Sequence, residues 1–167
     1  LLELADKMGI LILDEVFDCW ASGKNENDYA VHYSEWHKKD IEALVCRDRN
    51  HPSVIMWSLG NEVEEQYHPE KGVAAYLRDI VRLYDSTRPV TFGASYPSKS
   101  AINGTELQVD VHGMNYPSGG YGGPDFYETF LNYPWHEHLS GFASESSSTI
   151  SSRGVYFPKG YQVTSYD

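Results

Sequence analysis

Val54-Ile55-Met56-Trp57-Ser58-Leu59-Gly60-Asn61-Glu62 is an apolar run that ends in a glycine, an amide and a carboxylate. Bounded upstream by Asn50-His51-Pro52, it reads as a short strand buried on both faces, over Val54 to Leu59. Strand side chains alternate between faces. On that alternation Ile55, Trp57 and Leu59 pack against outer helices, while Met56, Ser58 and Gly60 share the interior side with Glu62. Trp57 is accordingly read as a core residue.

Working outward from this run, short apolar segments alternate with amphipathic ones. Upstream, Trp36, Ile41, Leu44 and Val45 follow the spacing of a helix that ends near Asn50. Before it lies a loop through Gly23, Asn25 and Asn27, preceded by a strand from Ile10 to Leu13 that ends in Asp14-Glu15. Leu1, Leu4, Ala5 and Met8 form the first helical stripe, which Gly9 is placed to stop. Cys46 is read as a core residue of its helix. Downstream, Val73, Leu77, Ile80, Val81 and Tyr84 mark a helix that Arg88-Pro89 breaks. Further strands are expected at Val90 to Phe92, Val109 to Tyr116 and Leu139 to Ser144, with Glu145 standing at the end of the last. Pro117 to Pro124 is a glycine-rich loop, and Phe126 to Tyr133 is read as a short helix.

Strands and helices in alternation, with strands buried on both faces, imply a parallel sheet in an α/β fold. A doubly wound sheet and a closed (β/α)8 TIM barrel both fit. Polar or acidic residues at the ends of several strands (Asp14-Glu15, Asn61-Glu62, Asn115-Tyr116 and Glu145) favour the barrel, whose sites are built from that rim. A doubly wound nucleotide fold would instead carry G-x-G-x-x-G after a strand, and none does so here. Five strands are fewer than the eight of a closed barrel. The expectation is therefore a barrel present in part, with residues 1–167 as one partial catalytic domain, two strands missing before Leu1 and one after Asp167.

Composition narrows the function classes. Thirteen basic against twenty-four acidic residues give a net charge of −11 over 167 residues. That balance argues against nucleic acid, whose phosphates need a basic footprint, and against anionic membrane surfaces. No segment approaches the roughly 20 apolar residues of a membrane span. The two cysteines, Cys19 and Cys46, form no metal-binding spacing. They assign no compartment, and a periplasmic or extracellular location is the expectation over a cytoplasmic one.

Two carboxyls at one barrel rim suit glycoside hydrolysis, in which one protonates the leaving oxygen and the other attacks the anomeric carbon or activates water. Glu62 and Glu145 are the best pair, each directly after a buried strand. On residue pattern alone they could equally be rim carboxylates in structural ion pairs. His136-Glu137-His138 lacks the spacing of H-E-x-x-H, so no metal is expected there. His112, mid-strand, is read as a packed residue. Asn103-Gly104-Thr105 matches a glycosylation sequon.

The stretch Arg47-Asp48-Arg49-Asn50-His51-Pro52-Ser53-Val54-Ile55-Met56-Trp57-Ser58-Leu59-Gly60-Asn61-Glu62 resembles the acid/base signature of glycoside hydrolase family 2, RDRNHPSV followed by WS-x-GNE. Leu13-Asp14-Glu15 is similar to that family's third strand and Arg88-Pro89-Val90 to its fifth. Asn115-Tyr116 is similar to the end of its sixth strand and Phe142-Ala143-Ser144-Glu145 to its seventh, so strands 3 to 7 would be present. The resemblance implies that Glu62 is the general acid and then base, and that Glu145 is the nucleophile. It implies that Asn61 bonds the sugar 2-hydroxyl and that Tyr116 orients Glu145. Asp14 and Glu15 would contact sugar hydroxyls or brace the rim, and Tyr121 would line the sugar pocket. Phe17-Asp18-Cys19-Trp20 and Ser144 to Tyr156 most resemble the β-galactosidases of the family. The implied activity is a retaining exo-β-glycosidase, first a β-galactosidase, on a carbohydrate substrate and with no cofactor. Further domains of the same polypeptide, and a homo-oligomer, are the partners it implies. The rivals are a β-glucuronidase or β-mannosidase on the same scaffold, and a non-catalytic carbohydrate-binding barrel, which would not require both Glu62 and Glu145.

Overall fold

A computed structural model describes residues 1–95, 104–116, 131–132 and 137–145. Five strands form one sheet: β1 (Ile12–Glu15), β2 (Val54–Asn61), β3 (Val90–Ala94), β4 (Val111–Asn115) and β5 (Ser140–Glu145). Their spatial order is β1-β2-β3-β4-β5, and every neighbouring pair is parallel. A doubly wound sheet reverses strand order at a switch point. An order that follows the chain without reversal is the arc of a (β/α)8 barrel, present in part.

Three helices are described: α1 (Leu2–Met8), α2 (Ala30–Asp48) and α3 (Val73–Tyr84). Gly9 ends α1 with a φ of 70°, the left-handed turn that glycine adopts without a Cβ penalty. Asp28 organises the entry to α2, its carboxylate accepting from the backbone N–H groups of Lys24, Asn25 and Ala30. The core lies between the sheet and the α2–α3 layer. Trp57, Leu59, Val90 and Phe92 pack from the strands onto Ile41, Val45, Leu77 and Val81 of the helices. Trp57 is fully buried and its Nε1 donates to Asp85 Oδ2 at 3.1 Å. Burial opposes ionisation of Asp85. Donors from Thr87, Arg88 and Trp57 outweigh it and hold the carboxyl well below the usual range. Arg88 also donates to the carbonyls of Val54 and His51, tying the start of β3 to that of β2.

Several expectations are corrected here. β1 begins at Ile12 rather than Ile10, and Ile10 and Leu11 are exposed. Ile55 does not pack with Trp57 and Leu59 and is 41% exposed. The register jumps from Ile12↔Val54 to Leu13↔Met56, so Ile55 is the extra residue of a bulge and Val54 takes the core position instead. Trp36 lies on the outer side of α2 with the Lys39 ammonium 4.2 Å over its ring. Cys46 is exposed, because Val45 and Asp48 occupy the inward side of that turn, whereas Cys19 is buried. The expected short helix over Phe126 to Tyr133 falls outside the described residues except at Leu131 and Asn132. Among the described residues no helix is long and apolar enough to cross a membrane.

Candidate active site

Parallel strands bring their C-terminal ends to one rim, and β2, β4 and β5 carry Asn61-Glu62, Asn115-Tyr116 and Glu145 there. The residue at the centre is Asn115. Its side chain is completely buried, and its Nδ2 lies 2.7 Å from Asn61 Oδ1, 2.9 Å from Glu145 Oε1 and 3.2 Å from Glu62 Oε1. The Tyr116 hydroxyl donates to the other Glu145 oxygen, Oε2. Glu62, Glu145, Asn61 and Tyr116 all stay partly accessible, so a ligand can reach them. Four of the residues expected in the site are thus brought together.

Plain alternation cannot aim both members of each pair into one pocket, and the backbone breaks alternation at all three strand ends. Glu62 has a φ of 45° and Tyr116 a φ of 52°, and no other non-glycine described residue has a positive φ. Such a conformation costs on the order of 1–2 kcal/mol and persists only where the surroundings impose it. Here Glu62 N donates to Gly93 O at 2.7 Å and Tyr116 N to Glu145 O at 2.6 Å, pinning each residue to the next strand. On β5 the register passes from Met114↔Ala143 to Asn115↔Glu145, which makes Ser144 the extra residue of a bulge. Ser144 Oγ therefore reaches the same amide as Glu145, donating to Asn115 Oδ1 at 2.7 Å. Gly93 of β3 forms the floor. A Cβ there would sit 2.8 Å from Asn61 Oδ1 and 3.0 Å from Asn115 Oδ1, so only glycine leaves the amides room.

Glu15 of β1 faces the same interior, accepting from Ser58 Oγ at 2.7 Å. Burial pushes its carboxyl up, and the Glu145 charge adds to this while the Ser58 bond opposes it. Asp14 alternates to the opposite face, where it meets Asp48 of α2. Burial, then the Asp48 carboxyl, raise it to about 6. The structure thus does not bring Asp14 to the carboxylate pair. Tyr121, the glycine-rich loop, Asn103 and His136 lie outside the described residues. His112 is buried, which lowers its pKa to about 4. Among the described residues no cluster of three or more His, Cys, Asp or Glu side chains could hold a metal. The sequence placed Asn115 and Ser144 at strand ends without giving them a role in the site, and it did not point to Gly93. The only signal was Asn115 standing next to Tyr116, and alternation turns it away from the pocket.

A parallel barrel arc with two glutamates from separate strands sharing one buried amide at its C-terminal rim has the architecture of the barrel glycosidases. Comparison with known proteins gives the family. Residues 1–137 match the model of the TIM barrel domain of glycosyl hydrolases family 2, and the chain belongs to that family. It is 32% identical to the beta-galactosidase BoGH2A of Bacteroides ovatus over 93% of this chain and 21% of that protein. Human beta-glucuronidase is 33% identical over 68% of this chain and 17% of its own length. The crystal structure of a family 2 member from Bacteroides cellulosilyticus superposes with a TM-score of 0.74 at 35% identity, over 88% of this chain and 18% of that one. The chain spans about a fifth of the length of these relatives.

Proposed function

We propose that the protein carrying this chain is a retaining exo-β-glycosidase, with Glu62 as acid/base and Glu145 as nucleophile. The supporting observation is the shared amide. Asn115 Nδ2 is 3.2 Å from Glu62 Oε1 and 2.9 Å from Glu145 Oε1, so those oxygens are at most about 6 Å apart. Retaining enzymes hold their carboxyls about 5–5.5 Å apart, and inverting ones about 6.5–9.5 Å to admit a water. Glu145 would attack the anomeric carbon and displace the aglycone as Glu62 gives its proton to the leaving oxygen. Glu62 would then take a proton from water, which attacks the glycosyl ester and frees Glu145 with net retention. Asn61 would bond the sugar 2-hydroxyl, Tyr116 would orient Glu145, and Glu15 would accept from a sugar hydroxyl or brace the rim.

For the sugar, β-galactoside is the first reading, because Phe17-Asp18-Cys19-Trp20 and Ser144 to Tyr156 most resemble the β-galactosidases of the family. Relatives named beta-galactosidase and putative beta-glucuronidase align over 93% and 92% of the chain alike. A β-glucuronide is the second, supported by the relatives named beta-glucuronidases, such as the human one. A panel of aryl glycosides on the full-length enzyme separates the two. The mechanism is tested by incubating the full-length enzyme with a dinitrophenyl 2-fluoro-β-glycoside and mapping the label by mass spectrometry. The label is expected on Glu145. Labelling of Glu62, or release of a product with inverted configuration, overturns the assignment. In the same series, Glu62→Ala should lose most activity on poor leaving groups, retain more on activated aryl glycosides and be partly rescued by azide.

A further inference from the structure

Three acceptors converge on one amide nitrogen that has only two hydrogens. The two shorter contacts are to Asn61 Oδ1 and Glu145 Oε1, at 2.7 and 2.9 Å, and the longest, 3.2 Å, is to Glu62 Oε1. From this juxtaposition we propose that Asn115 is a positioning residue, holding Glu145 and Asn61 through its two N–H groups and leaving Glu62 the freer carboxylate, with Ser144 anchoring the far end of the amide. The inference rests on the roles proposed above for Glu62 and Glu145.

The orientation of the amide is chosen by its surroundings. Turned the other way, Asn115 Oδ1 would face Asn61 Oδ1 and Glu145 Oε1, and acceptors would meet where the two N–H groups now donate. The Ser144 hydroxyl donates to Oδ1 at 2.7 Å and completes the bonds of the amide in this orientation. Ser144 can do so because the bulge on β5 turns it to the same side as Glu145. Asn115 is fully buried, so water cannot take over its bonds if they are lost.

The arrangement divides two tasks between the carboxyls. A nucleophile must be ionised and still before attack, and a donated N–H favours the ionised form. An acid/base must pick up and release a proton, which a strong N–H bond to its carboxylate would oppose. The other titratable groups facing Glu145 are Glu62 from β2, Glu15 from β1, which feels the Glu145 charge, and Tyr116 from β4, which donates to Oε2. Glu145 thus keeps two donors, Asn115 on Oε1 and Tyr116 on Oε2.

The test uses Asn115→Asp and Ser144→Ala in the full-length enzyme. The aspartate keeps the shape of Asn115 and puts a third carboxyl where the donor stood. Expected are a fall of about 10- to 100-fold in kcat/KM and a rise of about one unit in the acidic limb of its pH profile, which the carboxyls set jointly. Trapping by the 2-fluoro-glycoside, which reports the attack of Glu145 alone, should slow by a similar factor. Ser144→Ala should move all three readouts the same way by less. An unmoved acidic limb and trapping rate in Asn115→Asp, with only KM raised, overturns the proposal. Should that variant fail to fold, Ser144→Ala decides alone on the same criteria. A wild-type enzyme labelled elsewhere than Glu145 sinks the underlying roles and this inference together. Wild-type labelling at Glu145 with unmoved variants sinks this inference only.

Discussion

Gly93 meets Glu62 only through its backbone carbonyl, yet its missing side chain is part of the site. The space a Cβ would take is filled by the amides of Asn61 and Asn115, with approaches of 2.8 and 3.0 Å. Its φ is not in the left-handed region, so alanine would fit the backbone and strain only the neighbouring side chains. Gly93→Ala should therefore lower kcat by about 10-fold or more, because displaced amides misplace the reacting groups, while changing the melting temperature little. Steady-state kinetics and thermal unfolding of the full-length enzyme check this. A wild-type kcat in the variant would mean the amide cluster tolerates displacement. Glu62 and Tyr116 make the complementary point. Each accepts a costly left-handed backbone, and each is held there by one hydrogen bond to the adjacent strand.

At the scale of elements, the bulges on β2 and β5 decide which residues face the core and which the pocket. β1, with no irregularity between Asp14 and Glu15, sends the two carboxyls to opposite faces. Glu15 meets Ser58, and Asp14 meets Asp48 between β1 and α2. Asp48 is held ionised, chiefly by Arg47, while burial raises Asp14 to about 6. A folded carboxyl raised above its unfolded value of 3.8 favours folding below about pH 4, and that contribution is lost as pH rises through about 6. Asparagine at position 14 donates to Asp48 at every pH. Asp14→Asn should match the wild type near pH 4 and exceed it above pH 7 by about 1 kcal/mol, allowing for partial exposure. Melting curves at pH 4, 6 and 8 test this, and a difference constant across that range refutes it. Activity should survive the change, because Asp14 faces away from the carboxylate pair.

For the molecule as a whole, β1 and β5 are the edges of the described sheet, and parallel strands ordinarily have both faces and both edges covered. Leu4 and Met8 of α1, and Ile10 and Leu11 after it, are exposed beside β1 where a closed barrel would have a neighbour. Half a rim also leaves a sugar half enclosed, and the binding contacts that position it incomplete. Residues 1–167 alone should accordingly show no appreciable turnover of an aryl β-galactoside, with Glu62 and Glu145 both present. Purified protein of that length, assayed beside the full-length enzyme, gives the answer. Comparable rates would show that the remaining barrel is dispensable.

Sequence by itself determined the element order, the parallel sheet and the family, and it pointed to the two glutamates. These follow from local patterns: apolar runs of strand length, helical stripes, and the block from Arg47 to Glu62. Its alternation rule also placed Trp57 and Leu59 in the core. Polar strand ends and that block favoured a barrel over a doubly wound sheet, and the strand order, a property of pairing and not of the chain, bears this out. Only the tertiary structure revealed Asn115 as the amide shared by the glutamates, with Ser144 and Gly93 beside it. Alternation is a rule for regular strands, and at each end that matters a bulge or a left-handed residue, held by a bond to the next strand, overrides it.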